Sequence, residues 1–198
     1  LTRKISLTLA LVLVLPLSSC QKDEDKKSKA EPVVVRPEQS KLEVIQAAPK
    51  GEYRALVLSI YGVVIEWYEA KTKWFEYRKA FPKQPISHLV FYNTATHEIM
   101  GYAPIVQTLV GDPEEIVRET GHRSGTEPEN LLEYYKGYKK GYATEVKYFS
   151  RLPEPLSLQQ AKELGFNPSP NYQLAEYFPK LNEYLKAQIE LDEHDLEP

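Results

Sequence analysis

Lys73, Glu76 and Arg78 fall in the spacing K-x-x-E-x-R, with Trp74, Phe75 and Tyr77 among them. A lysine and an arginine offer charge-assisted donors to a phosphate or a carbonyl oxygen. The glutamate can accept from a base amino group, or simply hold the arginine in place. The stretch reads as a strand over 74–79, and alternate side chains of a strand share a face. Glu76 and Arg78 therefore point one way and Phe75 and Tyr77 the other, with Lys73 at the turn feeding the strand. Two readings follow. The stretch is the floor of a binding cleft, or it is an ion pair on a barrel wall with Trp74 in the core. Spacing alone leaves both open.

Other chemistry is sparse. The four histidines, His88, His97, His122 and His194, show no ligand spacing to one another, and no metal site or cofactor is expected. His122, in the loop Gly121-His122-Arg123-Ser124-Gly125, is the one to watch; the plain reading is a loop polar group. The single cysteine, Cys20, excludes an intrachain disulfide and a thiolate zinc site. A net charge of −3 argues against a generic polyanion binder, so any nucleic-acid site must be a local pocket. Of the 14 tyrosines, Tyr134, Tyr135, Tyr138 and Tyr142 read mainly as half-buried packing, with a stacking platform as the minor alternative.

The N-terminus carries its own signal. Arg3 and Lys4 precede an apolar run from Ile5 to Leu17, the length of a signal h-region and short for a bilayer span. Leu17-Ser18-Ser19-Cys20 resembles the bacterial lipobox, in which small residues admit the peptidase and the cysteine is lipidated. This implies a signal peptide over 1–19, a lipid bilayer as partner through acylated (palmitate-type) Cys20, and a place at the bacterial cell envelope. Gln21 is compatible with the outer membrane. Leu1 in place of Met fits a non-standard or misplaced start. The alternative is a plain secretory signal or anchor. Residues 20–52 are charged and interrupted by Pro32, Pro37 and Pro49, which reads as a flexible tether; Val33-Val34-Val35 could pair at a sheet edge.

The elements that must position the charged trio lie in 53–178. Tyr53 to Ile60 reads as a buried strand and Val63 to Ala70 as a helix with apolar residues at three and four. Strands follow at 74–79, 88–92, 98–108 and 141–149, with Gly101 suited to a bulge or close backbone approach. Asp112 or Gly111 caps a helix to about Thr120. Thr126 to Glu129 has capping-box spacing for a helix running to Gly137. A short helix spans 156–164, stopped by Gly165. An amphipathic helix spans 179–191, with Leu181, Tyr184, Leu185 and Ile189 inward, and an acidic frayed tail closes 179–198. The fold class is α+β: a small mixed β-barrel of about five strands with inserted helices and a C-terminal helix, or an open sheet with helices on one face.

From Leu56 to about Phe178 the chain resembles the ASCH domain, a PUA-like barrel. Ser59-Ile60 ends the first strand, and Lys73, Glu76 and Arg78 fall on the signature G-x-K-x-x-E-x-R. Val90-Phe91-Tyr92-Asn93-Thr94-Ala95, Met100-Gly101, Thr120-Gly121, Tyr134-Tyr135 and Gly141-Tyr142-Ala143 follow in the family's order. The resemblance implies a cleft beside the signature strand that takes RNA, a nucleotide or a related small polar ligand. Lys73, Glu76 and Arg78 would line it, with Tyr92 and Trp74 to stack on a base and Asn93, Thr94 and Thr96 as neutral hydrogen-bonding groups. Two departures matter. Lys71 replaces the signature glycine, costing on the order of a kcal/mol if a left-handed backbone is kept. Tyr61-Gly62 replaces the family's Lys-Pro. Some ASCH proteins are amidohydrolases on acetylated cytidine, with a threonine nucleophile where this chain has Glu76; Thr72 and Thr94 are near but off the pattern. No catalytic residue is therefore assigned. The leading expectation is a non-catalytic, lipid-anchored binding module. The alternatives are an envelope protein-interaction module of unknown partner, or a cytoplasmic nucleic-acid-binding regulator with a misassigned start.

Overall fold

The computed structural model describes residues 41–196. The expected signal peptide, Cys20, Val33–Val35 and most of the tether lie outside the described residues. No helix among those described is long and apolar enough to cross a membrane.

Eight strands form one curled sheet: β1 (Glu43–Gln46), β2 (Ala55–Ile60), β3 (Phe75–Arg78), β4 (His88–Asn93), β5 (Glu98–Gly111), β6 (Gly141–Val146), β7 (Ser150–Ser157) and β8 (Tyr172–Leu174). The order is β3-β6-β5-β4-β2-β8, with β1 and β7 also paired to β5. Only β2 and β4 run parallel among these pairs. β5 is the spine. Its first half pairs with β4 and β7, its second half with β6 and β1. The change falls at Pro104, which has no N–H to give to a ladder, and at a bulge between Ile105 and Gln107. That bend curls the sheet. Gly101 is where β7 closes on β5. A Cβ there would lie 2.3 Å from the Ser150 carbonyl oxygen, so the close-approach reading holds.

β2 and β4 are apolar on both faces because both faces are covered. Ala55, Val57, Val90 and Tyr92 face a core shared with α4 (Leu158–Glu163) and α5 (Pro179–Leu196). Leu56, Leu58, Leu89 and Phe91 face the inside of the curl, with Ile65 and Tyr68 of α1 (Gly62–Glu69). Phe75, Tyr77 and Ala143 pack on α2 (Pro113–Thr120) and α3 (Pro128–Tyr135) through Ile116, Val117, Leu131 and Tyr135.

The α+β curled-sheet class matches expectation; the strand count is higher. β7 carries Pro153 and Pro155, and prolines are confined to strand edges, so its sequence does not read as a strand. β1 lies in the stretch read as tether and pairs with β5 at an edge. β8 is only three residues long. Two helix boundaries also differ. Thr126 does not cap α3. Glu127 is the N-cap, extended at φ −68°, ψ 144°, because Pro128 takes the first helical position and biases its predecessor away from helix. The helix stops at Tyr135.

The acidic stretch after Leu191 is helical as far as it is described. α5 runs to Leu196, and the hydroxyls of Tyr102 and Ser150 donate to Asp192 at 2.6 and 2.5 Å. Glu193 accepts from Tyr148 and contacts His88 Nε2 at 3.2 Å. The α4 start shows the cap its sequence allows, with Ser157 and Gln160 bonded reciprocally.

A candidate ligand cleft around Arg78

β3 places Glu76 at the centre of a charged chain. Its carboxylate accepts from Arg78 Nη2 at 2.9 Å on one oxygen. On the other it meets Lys73 Nζ at 3.6 Å and the Tyr68 hydroxyl at 2.9 Å. Glu76 and Lys73 are buried, at 6% and 7% exposure, while the Arg78 side chain is 19% exposed. Burial alone would push the Glu76 carboxyl up. The two cations and the Tyr68 hydrogen bond outweigh it, and the group sits below its ordinary value. Burial lowers the Lys73 ammonium, against the pull of Glu76. Burial and then the Glu76 charge raise the Tyr68 phenol well above its usual value.

The trio does not open onto one hollow. Lys73 precedes the strand, at an isolated bridge to Ser124, where it lies 5.5 and 5.0 Å from the ring centres of Tyr68 and Tyr77. It borders a first cavity of about 350 Å³ with Lys71, Trp74, Tyr148, Phe149 and Arg151. Arg151 is paired with Glu69 there. Arg78 borders a second cavity of about 570 Å³, together with Tyr92 and Thr94. Glu76 lies in the protein between them. The sequence expectation of one shared concavity is corrected on this point; the ion pair is present, and it divides two cavities.

The other expected residues sort by role. Thr94 lines the Arg78 cleft, and its hydroxyl donates to the Ile60 carbonyl at 3.1 Å. Asn93 is a turn residue: its Oδ1 accepts from the Ala95 N–H at 2.9 Å and it is 5% exposed. Tyr92 borders the cleft but cannot stack on a base. The residue is 3% exposed, and its ring packs edge-on against Phe166. Its hydroxyl reaches His97 Nδ1 at 3.2 Å. Thr96 Oγ1 contacts the Met100 sulfur at 3.8 Å. Trp74 is half-buried at the margin of the core around Phe75 and Tyr77 and lies outside the Arg78 cleft. It borders the Lys73 cavity, donates from Nε1 to the Lys71 carbonyl, and carries the Arg123 guanidinium 5.1 Å from its ring centre.

Sequence reasoning placed Arg78, Tyr92 and Thr94 in the cleft but not its other residues, His97, Tyr61 and Ser169 among them. His97 borders it, held at φ 60° in the turn after β4. His122, the histidine singled out from sequence, is exposed and outside it. Tyr61, at the start of α1, borders the cleft with 75% exposure. Ser169 belongs to the wall Pro168–Pro170, and Ser59 Oγ donates to its carbonyl at 2.6 Å, fastening that wall to the end of β2. Position in the sequence gave no sign that 168–170 would lie beside 59–61.

Lys71 keeps the left-handed backbone of the glycine it replaces, with φ 55°. Its N–H bonds the Tyr68 carbonyl and the Thr72 N–H bonds the Trp67 carbonyl, each at 3.0 Å. These are the two bonds of a Schellman cap on α1.

No family model matches this sequence, and no curated protein does. Solved structures do. The ASCH protein of Zymomonas mobilis superposes with a TM-score of 0.57 at 21% identity, covering 64% of this chain and 92% of that one. A serine-to-alanine variant of it gives 0.59 at 19% identity, covering 67% and 94%. A tyrosine-to-phenylalanine variant gives 0.60 at 18%, covering 67% and 96%. The shared feature is the fold of these ASCH structures, a curled sheet with helices packed on it.

Proposed function

We propose that residues 53–178, closed by the helix and tail 179–198, form a non-catalytic binding module whose cleft takes RNA, a nucleotide or a related anionic ligand. The observation that carries this reading is the placing of Arg78. Glu76 fixes one end of the guanidinium, the Ser59 carbonyl lies 3.5 Å from the same nitrogen, and the exposed part borders a cleft of ligand size. A guanidinium held this way loses little freedom on meeting a phosphate. The fold shared with ASCH proteins supports the same reading. Hydrogen-bonding groups at Thr94 and His97 can then fix orientation.

The binding assignment is favoured over amide hydrolysis because of what surrounds Lys73. Its polar neighbours are the Glu76 carboxylate and the Ser124 carbonyl, 3.5 Å away, rather than a serine or threonine hydroxyl to activate.

The test is fluorescence anisotropy with a labelled short single-stranded RNA. Arg78→Ala should lose at least ten-fold in affinity and keep the circular dichroism of the parent. Unchanged affinity refutes the cleft. The tether and lipobox reading adds that Cys20 is acylated and holds the module at the envelope. Cys20→Ala should abolish palmitate labelling and release the protein from membranes; a protein that is cytoplasmic with Cys20 intact ends that part of the proposal.

A further inference from the structure

Arg78 borders a third cavity as well, of about 470 Å³. Lys79, Tyr134, Tyr138 and Tyr172 line it. One chain segment walls both: Pro168–Pro170 flank the Arg78 cleft and Asn171–Tyr172 flank the neighbouring cavity. Arg78 and the segment 168–172 thus border both cavities.

Their chemistry repeats. Each presents exposed aromatic rings: Tyr61 at 75% in the first, Tyr138 at 49% and Tyr134 at 37% in the second. Lys79 stands 4.6 and 4.5 Å from the ring centres of Tyr134 and Tyr138, which holds the two rings as a pair and adds a second cation. Among the described residues no carboxylate lines either cavity, although the chain is net negative. Rings on both sides of a central guanidinium suit two stacked bases with the linking phosphate at Arg78, because every base has a stacking face and stacking tolerates any sequence.

We propose that the two cavities are subsites of one groove that takes two consecutive nucleotides of a single strand. This rests on the nucleotide reading above and sets the ligand's length and polarity of contact: bases at Tyr61 and at Tyr134–Tyr138, phosphodiester at Arg78.

The experiment uses the full chain and titration calorimetry with 5′-phosphorylated mono-, di- and tetranucleotides, in uridine and adenosine series. The dinucleotide should bind about ten-fold tighter than the mononucleotide, the gain of one stacked base. Tyr138→Ala and Lys79→Ala, which remove an exposed ring and the cation that pairs it with Tyr134, should each bring the dinucleotide down to the mononucleotide's affinity. Equal affinity for mono- and dinucleotide, or a gain that survives both substitutions, overturns the two-subsite groove while leaving a single-nucleotide cleft standing. Failure of every length to bind overturns both.

Discussion

Lys71→Gly should make this protein more stable. The Schellman cap that ends α1 needs a left-handed residue at position 71, and the chain supplies lysine at φ 55°. A side chain in that region costs about 1–2 kcal/mol from the clash of Cβ with the backbone. Glycine removes the clash but adds about 0.5–1 kcal/mol of unfolded-state freedom that folding must freeze. The net gain is about 0.5–1 kcal/mol, because the cap hydrogen bonds use only backbone atoms and survive the change. For a domain of this size that is a rise in Tm of about 1–4 °C. Lys71→Ala is the control, since it removes the same exposed side chain and keeps the clash; its Tm should stay near the parent's. Differential scanning calorimetry reads all three. A glycine variant that melts at or below the parent, or an alanine variant that gains as much, refutes the strain argument.

Glu76→Gln leaves two buried or half-buried cations without their counter-charge and should cost about 3–5 kcal/mol, read as a drop in the urea midpoint. Gly101→Ala drives a methyl group into the Ser150 carbonyl and should cost at least about 1–3 kcal/mol or prevent soluble expression. Stability should fall with acid in two stages, followed by thermal melts across pH. Burial among Tyr53 and Tyr102 holds the His88 imidazole below its ordinary value against the pull of Glu193. The unfolded chain therefore takes that proton first, and stability declines as pH drops from about 6.5 towards the folded value. Glu76 is also depressed, so its contribution stands above about 4.5 and is lost as pH falls through its folded value. His88→Asn should remove the first stage alone.

The charged pair Glu76–Arg78 was legible because strand parity is rigid: residues two apart share a face whatever lies around them. The runs Ala55–Ile60 and His88–Asn93 were legible for the related reason that apolar residues filled both faces. What could not be read was placed by distant partners. Lys73 lies three residues from Glu76, so strand parity would part them. The bend at the Ser124 bridge brings them together and turns the lysine towards another cavity. Tyr92 looked like a stacking ring until Phe166, far along the chain, closed over it. The wall at Pro168–Pro170 reaches the cleft through one hydroxyl, Ser59, and no local pattern announces such a tie. The acidic end of α5 looked solvent-bound, and the tyrosines and serine that hold it come from β5 and from the turn and strand after β6.

A carboxylate that serves two cations cannot neutralise both in full. An anion beside Arg78 would compete for the guanidinium and leave more of the Glu76 charge for the lysine on its far side, and an anion beside Lys73 would act on Arg78 in the same way. The cavities beside Lys73 and Arg78 share Glu76 as counter-ion, and thermodynamic reciprocity would require that whatever one occupant did to the other be returned in equal measure.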